Sequence, residues 1–325
     1  MTRVLFVIPG AAQGSSMIFA RRQAQSLREE NTDIAIFDLR SRTSPLQLAR
    51  EYRRFRRDLS LFRPHVVHAH FGTMTGLFGA LAAWDIPLVI TYRGSDLNPA
   101  PSSNRLRSAL GRLLSQLAAL RAARIVCVSR QLKHRLWWRR SRVTVLPSGV
   151  NPEVFRPEPR QVARARLGWP ETERVVLFNA GHDPRAKRGD LARAAVAAAC
   201  ETLPGLRLET LDGQVDPGLI PTLMNGADCL LLTSDFEGSP TVVQEALACD
   251  LPVVSVDAGD TAERLAGVEN ARVVERDPAS IGRALAELAA TPVRSSGRTK
   301  IGEFSSRRIA QELNWLYREV RTASS

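Results

Sequence analysis

Residues 235–252 read DFEGSPTVVQEALACDLP, and an apolar run, CLLLTS, stands directly before them. Four to six apolar residues in a row predict a strand buried on both faces. Gly238, Ser239 and Pro240 mark a tight turn, and the residues around Glu245 carry a helical pattern. PVVSVDAGD then supplies the next strand and loop. Strand, turn, helix and strand in this order make a βαβ unit, which fixes the class as α/β with a parallel sheet. The turn presents free backbone N–H groups and the positive end of the helix dipole, a setting suited to an anion such as a diphosphate. Glu237 and Glu245, two helical turns apart, lie near one face. A helix start with a dipole-complementing glutamate explains the same residues.

Working outward, the same alternation recurs through the chain. RVVLFNAG (174–181) predicts a buried strand; HDPRAKRGD and an alanine-rich helix over 191–202 follow it. Arg185, Lys187 and Arg188 therefore stand just ahead of a helix N-terminus, the arrangement that holds a diphosphate. LRLETLDG and ARVVER add strands, Glu263 opens a further helix, and residues 304–320 form a terminal helix with an apolar stripe of Ile309, Leu313, Leu316 and Tyr317.

The first half has the same grammar. RVLFVI (3–8) is a strand, PGAAQGSS a loop in which Gly10 and Gly14 allow close approach of a ligand, and residues 17–30 a helix. IAIFDL and VVHAH (66–70) are strands. His68 and His70 share a strand face, and His70 lies nearest the C-terminal edge, where open α/β sheets bind ligands. PLVITYRGSD places Arg93, Ser95 and Asp96 on the same rim. Residues 104–123 form a long helix amphipathic with arginines, and RIVCVS is a strand. The Pro-rich exit VLPSGVNPEVFRP marks a boundary, so residues 1–156 and 157–303 make two Rossmann-like domains.

Composition narrows the function classes. The 325 residues are 44% apolar, with a net charge of +12. Residues 1–155 hold 24 Lys+Arg against 9 Asp+Glu, or +15, which leaves −3 for the remainder. That asymmetry points to an anionic partner: nucleic acid, a membrane surface or a phosphorylated substrate. Aromatics are few and no recognised nucleic-acid module appears, so a nucleic-acid partner is not expected. Two basic–aromatic stretches, Arg50–Arg57 and Trp137–Arg140, are candidate contacts to anionic lipid; solvated helix faces explain them equally. Cys127, Cys200, Cys229 and Cys249 lie in apolar stretches with no CxxC spacing, as expected of buried thiols in a reducing compartment. No signal peptide or 18-residue apolar run is read, which predicts a cytoplasmic protein. No DxD triplet, GxSxG, HExxH or Walker A motif occurs, and two histidines without a third ligand give no metal site.

Taken in order, VVHAHFGTMTG, PLVITYRGSD, VLPSGVNPEVFRP and EGSPTVVQEALACDLPVVSVDAGDTAE resemble the motifs of glycosyltransferase family 4, the retaining, nucleotide-sugar-dependent enzymes of GT-B fold. The resemblance spans nearly the whole chain and centres on its E-x7-E core. It implies two doubly wound domains facing across a cleft, with residues 304–325 returning to the first. It implies Glu237 on the transferred sugar, with backbone groups of Gly238, Ser239, Pro240 and Thr241; Glu245 on the ribose; and Arg185 and Lys187, or Arg188 in place of one, on the diphosphate. His70 would lie near the anomeric carbon, the Gly14 loop would approach the phosphates, and His68, Arg93, Ser95 and Asp96 would face the acceptor. The co-substrate would be a UDP-sugar or similar donor, the acceptor a saccharide or lipid-linked hydroxyl in polysaccharide biosynthesis, with no cofactor and no obligatory metal. A peripheral position on the cytoplasmic membrane fits a lipid-linked acceptor. The sequence departs from the family where RGSD replaces HGSD, PSGVN replaces PNGVD, and the Arg-x4-Lys register becomes HDPRAKR. The segment from Gly213 to Ala227 is also shorter than usual. A nucleotide-sugar epimerase or a catalytically silent GT-B protein shares the fold and is the alternative.

Overall fold

The computed structural model describes residues 1–10, 17–99, 104–181, 185–291 and 293–323. The chain forms two compact units, one of Met1–Gly149 with Ser306–Ser325 and one of Val150–Ser305.

In the first unit, β1 (Thr2–Pro9), β2 (Thr32–Leu39), β3 (Val66–His70), β4 (Leu88–Tyr92), β5 (Arg124–Cys127) and β6 (Val143–Val145) alternate with α1 (Ile18–Glu29), α2 (Pro45–Phe62), α3 (Thr73–Ala82), α4 (Arg105–Arg121) and α5 (Arg130–Arg135). The sheet runs β2-β1-β3-β4-β5-β6, all parallel. Strand order reverses between β1 and β3, so a topological switch point lies at their C-terminal ends. β3 and β4 are buried along their whole length, as continuous apolar runs in a parallel sheet should be.

The second unit contains α6 (Arg160–Leu167), β7 (Arg174–Gly181), α7 (Gly189–Thr202), β8 (Leu206–Asp212), α8 (Ile220–Gly226), β9 (Cys229–Leu232), α9 (Thr241–Ala248), β10 (Val253–Val256), α10 (Thr261–Leu265), β11 (Ala271–Val274), α11 (Pro278–Ala290) and the short α12 (Ile301–Phe304). Its parallel sheet runs β11-β10-β9-β7-β8 and reverses between β7 and β9. The units divide at Gly149/Val150, ahead of the 156/157 boundary expected from the Pro-rich exit. Val150 N–H donates to Phe304 O, and the Phe155 side chain is buried in the second core.

The last helix, α13 (Ser306–Thr322), belongs to the first unit. Its stripe of Ile309, Leu313, Leu316 and Tyr317 is buried against β1 and α1 residues such as Val4, Phe6, Ala24 and Leu27. Polar ties fix its register: the Asn314 amide donates to Glu30 O at 3.0 Å, and Arg307 pairs with Glu30 at 2.9 Å. The second unit is pinned by a buried ion network. Arg164 is fully buried, with its guanidinium on Asp228 at 2.8 Å and on the carbonyls of Gly226, Pro170 and Glu173. Asp228 also accepts from Val175 N–H at 2.7 Å and pairs with Arg160 at 2.8 Å. The groups surrounding this cation satisfy it, which is the condition for burying one.

Candidate functional site

In the second unit the switch point between β7 and β9 gathers the residues expected to hold a donor. The turn after β7 is fastened to the end of β9: Thr233 Oγ1 donates to Lys187 O at 2.8 Å, and Asp235 N–H donates to Ala186 O at 3.1 Å. This fastening brings Lys187 Nζ to 2.5 Å from Glu237 Oε1, both side chains mostly buried. Two residues fifty positions apart thus share one spot at the C-terminal edge of the sheet. Gly238, Ser239 and Pro240 follow, and α9 starts at Thr241 with no side chain capping it. Its dipole starts at the same turn, where Val243 N–H donates to Pro240 O at 3.1 Å. Glu245 lies about one turn into α9 and is half-buried.

A third loop presses on that turn. Gly259 has φ +68°, and a Cβ there would come within 2.9 Å of both Glu237 Cβ and Gly238 O. Only glycine fits both the backbone and the space. Ser239 is buried, its hydroxyl donating to Asp260 at 2.8 Å and accepting from the Gln244 amide at 2.9 Å, while Arg264 holds Asp260 at 2.9 Å. The Ser239 side chain therefore braces the turn, and only its backbone remains for a ligand. Arg188 is likewise engaged by Asp190 at 2.8 Å and Asp235 at 3.3 Å. The hydrogen bonds that Arg188 donates to Asp190 raise the arginine pKa further, and Asp190 itself is held down to about 2. Arg276 adds a second cation to Asp235 at 3.4 Å and donates to Thr233 O at 2.8 Å. Of the three cations ahead of α7, exposed Arg185 has no ion pair among the described residues, and Lys187 stands against Glu237.

In the first unit, the residues after β3 and β4 form a second cluster. His70 is fully buried, its ring 4.1 Å from those of Phe6 and His68. Arg93 Nη2 donates to His70 Nδ1 at 2.9 Å. Because a guanidinium only donates, Nδ1 must accept, and the ring proton sits on Nε2. That Nε2 meets no partner among the described residues. Burial, with His68 and Arg93 nearby, holds the His70 pKa well below its ordinary value, so the ring is neutral at physiological pH. The arginine is clasped in turn by Ser148 Oγ at 2.9 Å, Gln23 Oε1 at 3.1 Å and the face of Phe19 at 4.3 Å. Burial lowers its pKa to about 9, which leaves it a cation at neutral pH.

Two expectations on this rim are corrected. His68 does not face an acceptor: it is fully buried, with Nδ1 2.6 Å from Tyr317 Oη and Nε2 2.7 Å from Thr91 Oγ1. Asp96 is also fully buried and accepts from the N–H groups of Gly72 (3.0 Å), Arg93 (3.0 Å) and Gly94 (2.8 Å), which ties the loop after β4 to the turn after β3. That turn is strained. Phe71 and Thr73 have φ of 96° and 48°, and a Cβ on Gly72 would meet Ser115 Oγ at 2.5 Å. Strain held this firmly directly beside His70 is a mark of a functional turn. Arg93 is half-buried, with its guanidinium committed to His70, Ser148 and Gln23. Ser95 is exposed. Gly14 lies outside the described residues, as do the HDP residues 182–184. No group of three metal-ligating side chains occurs among the described residues. Sequence reasoning missed Asp260, Gly259, Gln244 and Arg276, whose roles depend on loops meeting in space.

Two parallel Rossmann-like units, each with its polar cluster at a switch point, define the GT-B architecture. Residues 11–154 match the family Glycosyltransferase Family 4, and residues 162–291 match Glycosyl transferases group 1. The chain is thus built of these two glycosyltransferase domains. It is 29% identical over 281 residues to D-inositol 3-phosphate glycosyltransferase of Thermobispora bispora, covering 71% of this chain and 64% of that protein. It is 28% identical over 222 residues to the putative teichuronic acid biosynthesis glycosyltransferase TuaC of Bacillus subtilis, covering 60% and 54% respectively. The chain thus spans less than two thirds of the length of either relative. Alr3699/HepE of Anabaena, solved in complex with UDP-glucose, superposes with a TM-score of 0.77 at 16% identity, covering 98% of this chain and all of that one.

Proposed function

We propose that this chain transfers a sugar, with retained anomeric configuration, from a nucleotide-diphosphate-sugar to a hydroxyl of a saccharide or lipid-linked acceptor. The observation that carries this is the meeting of Lys187 and Glu237 at the β7/β9 switch point, beside the uncapped start of α9. A cation and free N–H groups suit a diphosphate, and a carboxylate suits sugar hydroxyls. Similarity to Alr3699/HepE, solved with UDP-glucose, supports a UDP-sugar as donor.

In this scheme a diphosphate oxygen competes for Lys187 Nζ, which releases Glu237 to the hydroxyls of the sugar. Glu245 takes the ribose, and Arg185 the outer phosphate charge. The bond from the anomeric carbon to the diphosphate breaks along an oxocarbenium-like path. The acceptor oxygen bonds to the same face as its proton passes to the departing diphosphate. Catalysis rests on positioning and on the charge of Arg185 and Lys187 meeting the leaving group. His70, neutral with its proton on Nε2, is the hydrogen-bond donor that the first unit offers to a substrate. Charge neutralisation by side chains makes a metal dispensable, so transfer should continue in EDTA. Similarity to TuaC favours a product in cell-surface polysaccharide, made peripherally at the inner face of the cytoplasmic membrane.

Glu237→Ala and Lys187→Ala should each lower turnover by about two orders of magnitude, the scale of one lost electrostatic contact. Unchanged turnover in folded variants would sink the assignment. An epimerase would instead convert a UDP-sugar with no acceptor present, so a donor-only incubation separates the two readings.

A further inference from the structure

Helix α4 is built inside out. Its sequence is RLRSALGRLLSQLAALR, and Leu106, Leu110, Leu113, Leu117 and Leu120 recur at spacings of four and three. At 100° per residue these five fall within an arc of roughly 80°. A helix in a globular protein normally turns such an arc inward. Here the inner face is made of small and polar residues: Ser115, Gln116, Ala118 and Ala119 are buried. A Cβ on Gly111 would touch Thr73 at 3.4 Å, and one on Gly76 would touch Ala118 at 3.3 Å, so α3 and α4 lie close. The leucines consequently face outward, with 78%, 53%, 42%, 42% and 44% of their surface exposed in chain order.

Two tryptophans extend the stripe. Trp137 is 60% exposed, and its N–H donates to Gln116 Oε1 at 3.0 Å on one flank of the stripe. Trp84 is 65% exposed, and its carbonyl accepts from the Arg121 guanidinium on the other flank. Arg105, Arg107, Arg112 and Arg121 edge the helix, which contains no acidic residue. The stretches singled out from sequence are partly engaged elsewhere, although Arg50, Arg53 and Trp137 are exposed. Arg54 is spent on Glu51 and the Phe37 ring, Arg56 on Asp85, and Arg140 and Trp138 on backbone carbonyls.

We propose that the outer face of α4, with Trp84 and Trp137, docks the first unit on an anionic lipid bilayer. Leucines enter the acyl boundary, tryptophans sit at the interface, and arginines meet the headgroups. The four-three leucine spacing would also suit a second copy of the helix. Charge decides against that, because a copy would set arginines against arginines with no acid between them, whereas anionic headgroups complement them. The surface deepens the peripheral-membrane reading, and its test needs neither donor nor acceptor.

The test is co-sedimentation of the full chain with vesicles of phosphatidylglycerol and phosphatidylcholine, and with vesicles of phosphatidylcholine alone, at low and high salt. Binding is expected to the anionic vesicles, weaker at high salt, and a blue shift of tryptophan emission should accompany it. Leu110→Gln/Leu113→Gln/Leu117→Gln should weaken binding by about tenfold or more, since each leucine contributes through its own buried area. These side chains are exposed, so the variant should melt at or above the parent temperature. If it fails to fold, Arg105→Glu/Arg112→Glu takes its place and should abolish the preference for anionic vesicles. Parent chain that stays in the supernatant, or variants that bind like the parent, would overturn the proposal. So would a dimer seen by light scattering that the leucine substitutions dissociate while vesicle binding is lacking.

Discussion

Arg93 Nη2 lies 2.9 Å from His70 Nδ1, and this contact fixes which nitrogen of a buried imidazole carries the proton. Lysine at position 93 retains charge but cannot serve Ser148, Gln23 and His70 together. Arg93→Lys should therefore lower the rate of transfer by about tenfold or more while donor affinity changes little, the scale of a positioned proton donor. Nitrogen NMR of the His70 ring checks the cause directly. The parent should show the Nε2–H tautomer, and the variant a mixture. A variant ring that keeps the parent tautomer would contradict this role.

Stability should fall as the solution is acidified below about pH 6.5. His68 and His70 have folded pKa values well below the ordinary 6.5, because burial disfavours the charged ring; His65 is lowered in the same sense. The unfolded chain then binds protons that the fold refuses, so the stability rises with pH across the window between the folded values and 6.5. Burial raises Asp96 and Asp260, which act with opposite sign, nearer the carboxylate range. Urea midpoints at pH 7.5 and 5.5 measure the effect. A midpoint that does not drop at the lower pH would refute it.

Gly259→Ala should destabilise the chain by about 2 kcal/mol or more. Its left-handed backbone alone costs alanine about 1 kcal/mol, and the new Cβ would overlap Gly238 O at 2.9 Å, which is backbone and cannot swing aside. Since the displaced turn carries Glu237, UDP affinity and turnover should fall with stability. Thermal melts with and without UDP would show both; a variant that matches the parent in both would be inconsistent with this packing.

Asp228→Ala should cost about 3–5 kcal/mol, as breaking a buried pair leaves Arg164 an uncompensated cation. Arg164→Met in the same background should recover part of that loss by removing the charge. Chemical denaturation of the single and double variants decides the point, and a loss under about 1 kcal/mol would count against the network.

The strands were largely legible because burial on both faces leaves a plain signature. VVHAH and RVVLFNAG coincide with β3 and β7, and the terminal stripe of Ile309, Leu313, Leu316 and Tyr317 is the buried face of α13. The loops bearing the candidate site were legible too, since a strand's C-terminal end locates its rim. Which way a rim side chain turns was not. His68 is committed by Tyr317, 249 positions away, and Asp96 by Gly72, whose turn no local pattern announces. Periodicity also identified α4 but not its orientation. Leucines at helical spacing normally mean a core, and only the packing of Gly111 and Ala118 against α3 shows that these face out.

The central claim is that Lys187, Glu237 and the start of α9 hold a nucleotide-diphosphate-sugar. It is tested most directly by thermal titration of the parent and Lys187→Ala chains with UDP-glucose and a panel of other nucleotide-sugars. A ligand that binds only the fold raises its melting temperature. At least one nucleotide-sugar should stabilise the parent, and the same compound should stabilise Lys187→Ala far less. No shift with any member of the panel, or an undiminished shift in the variant, would contradict the account.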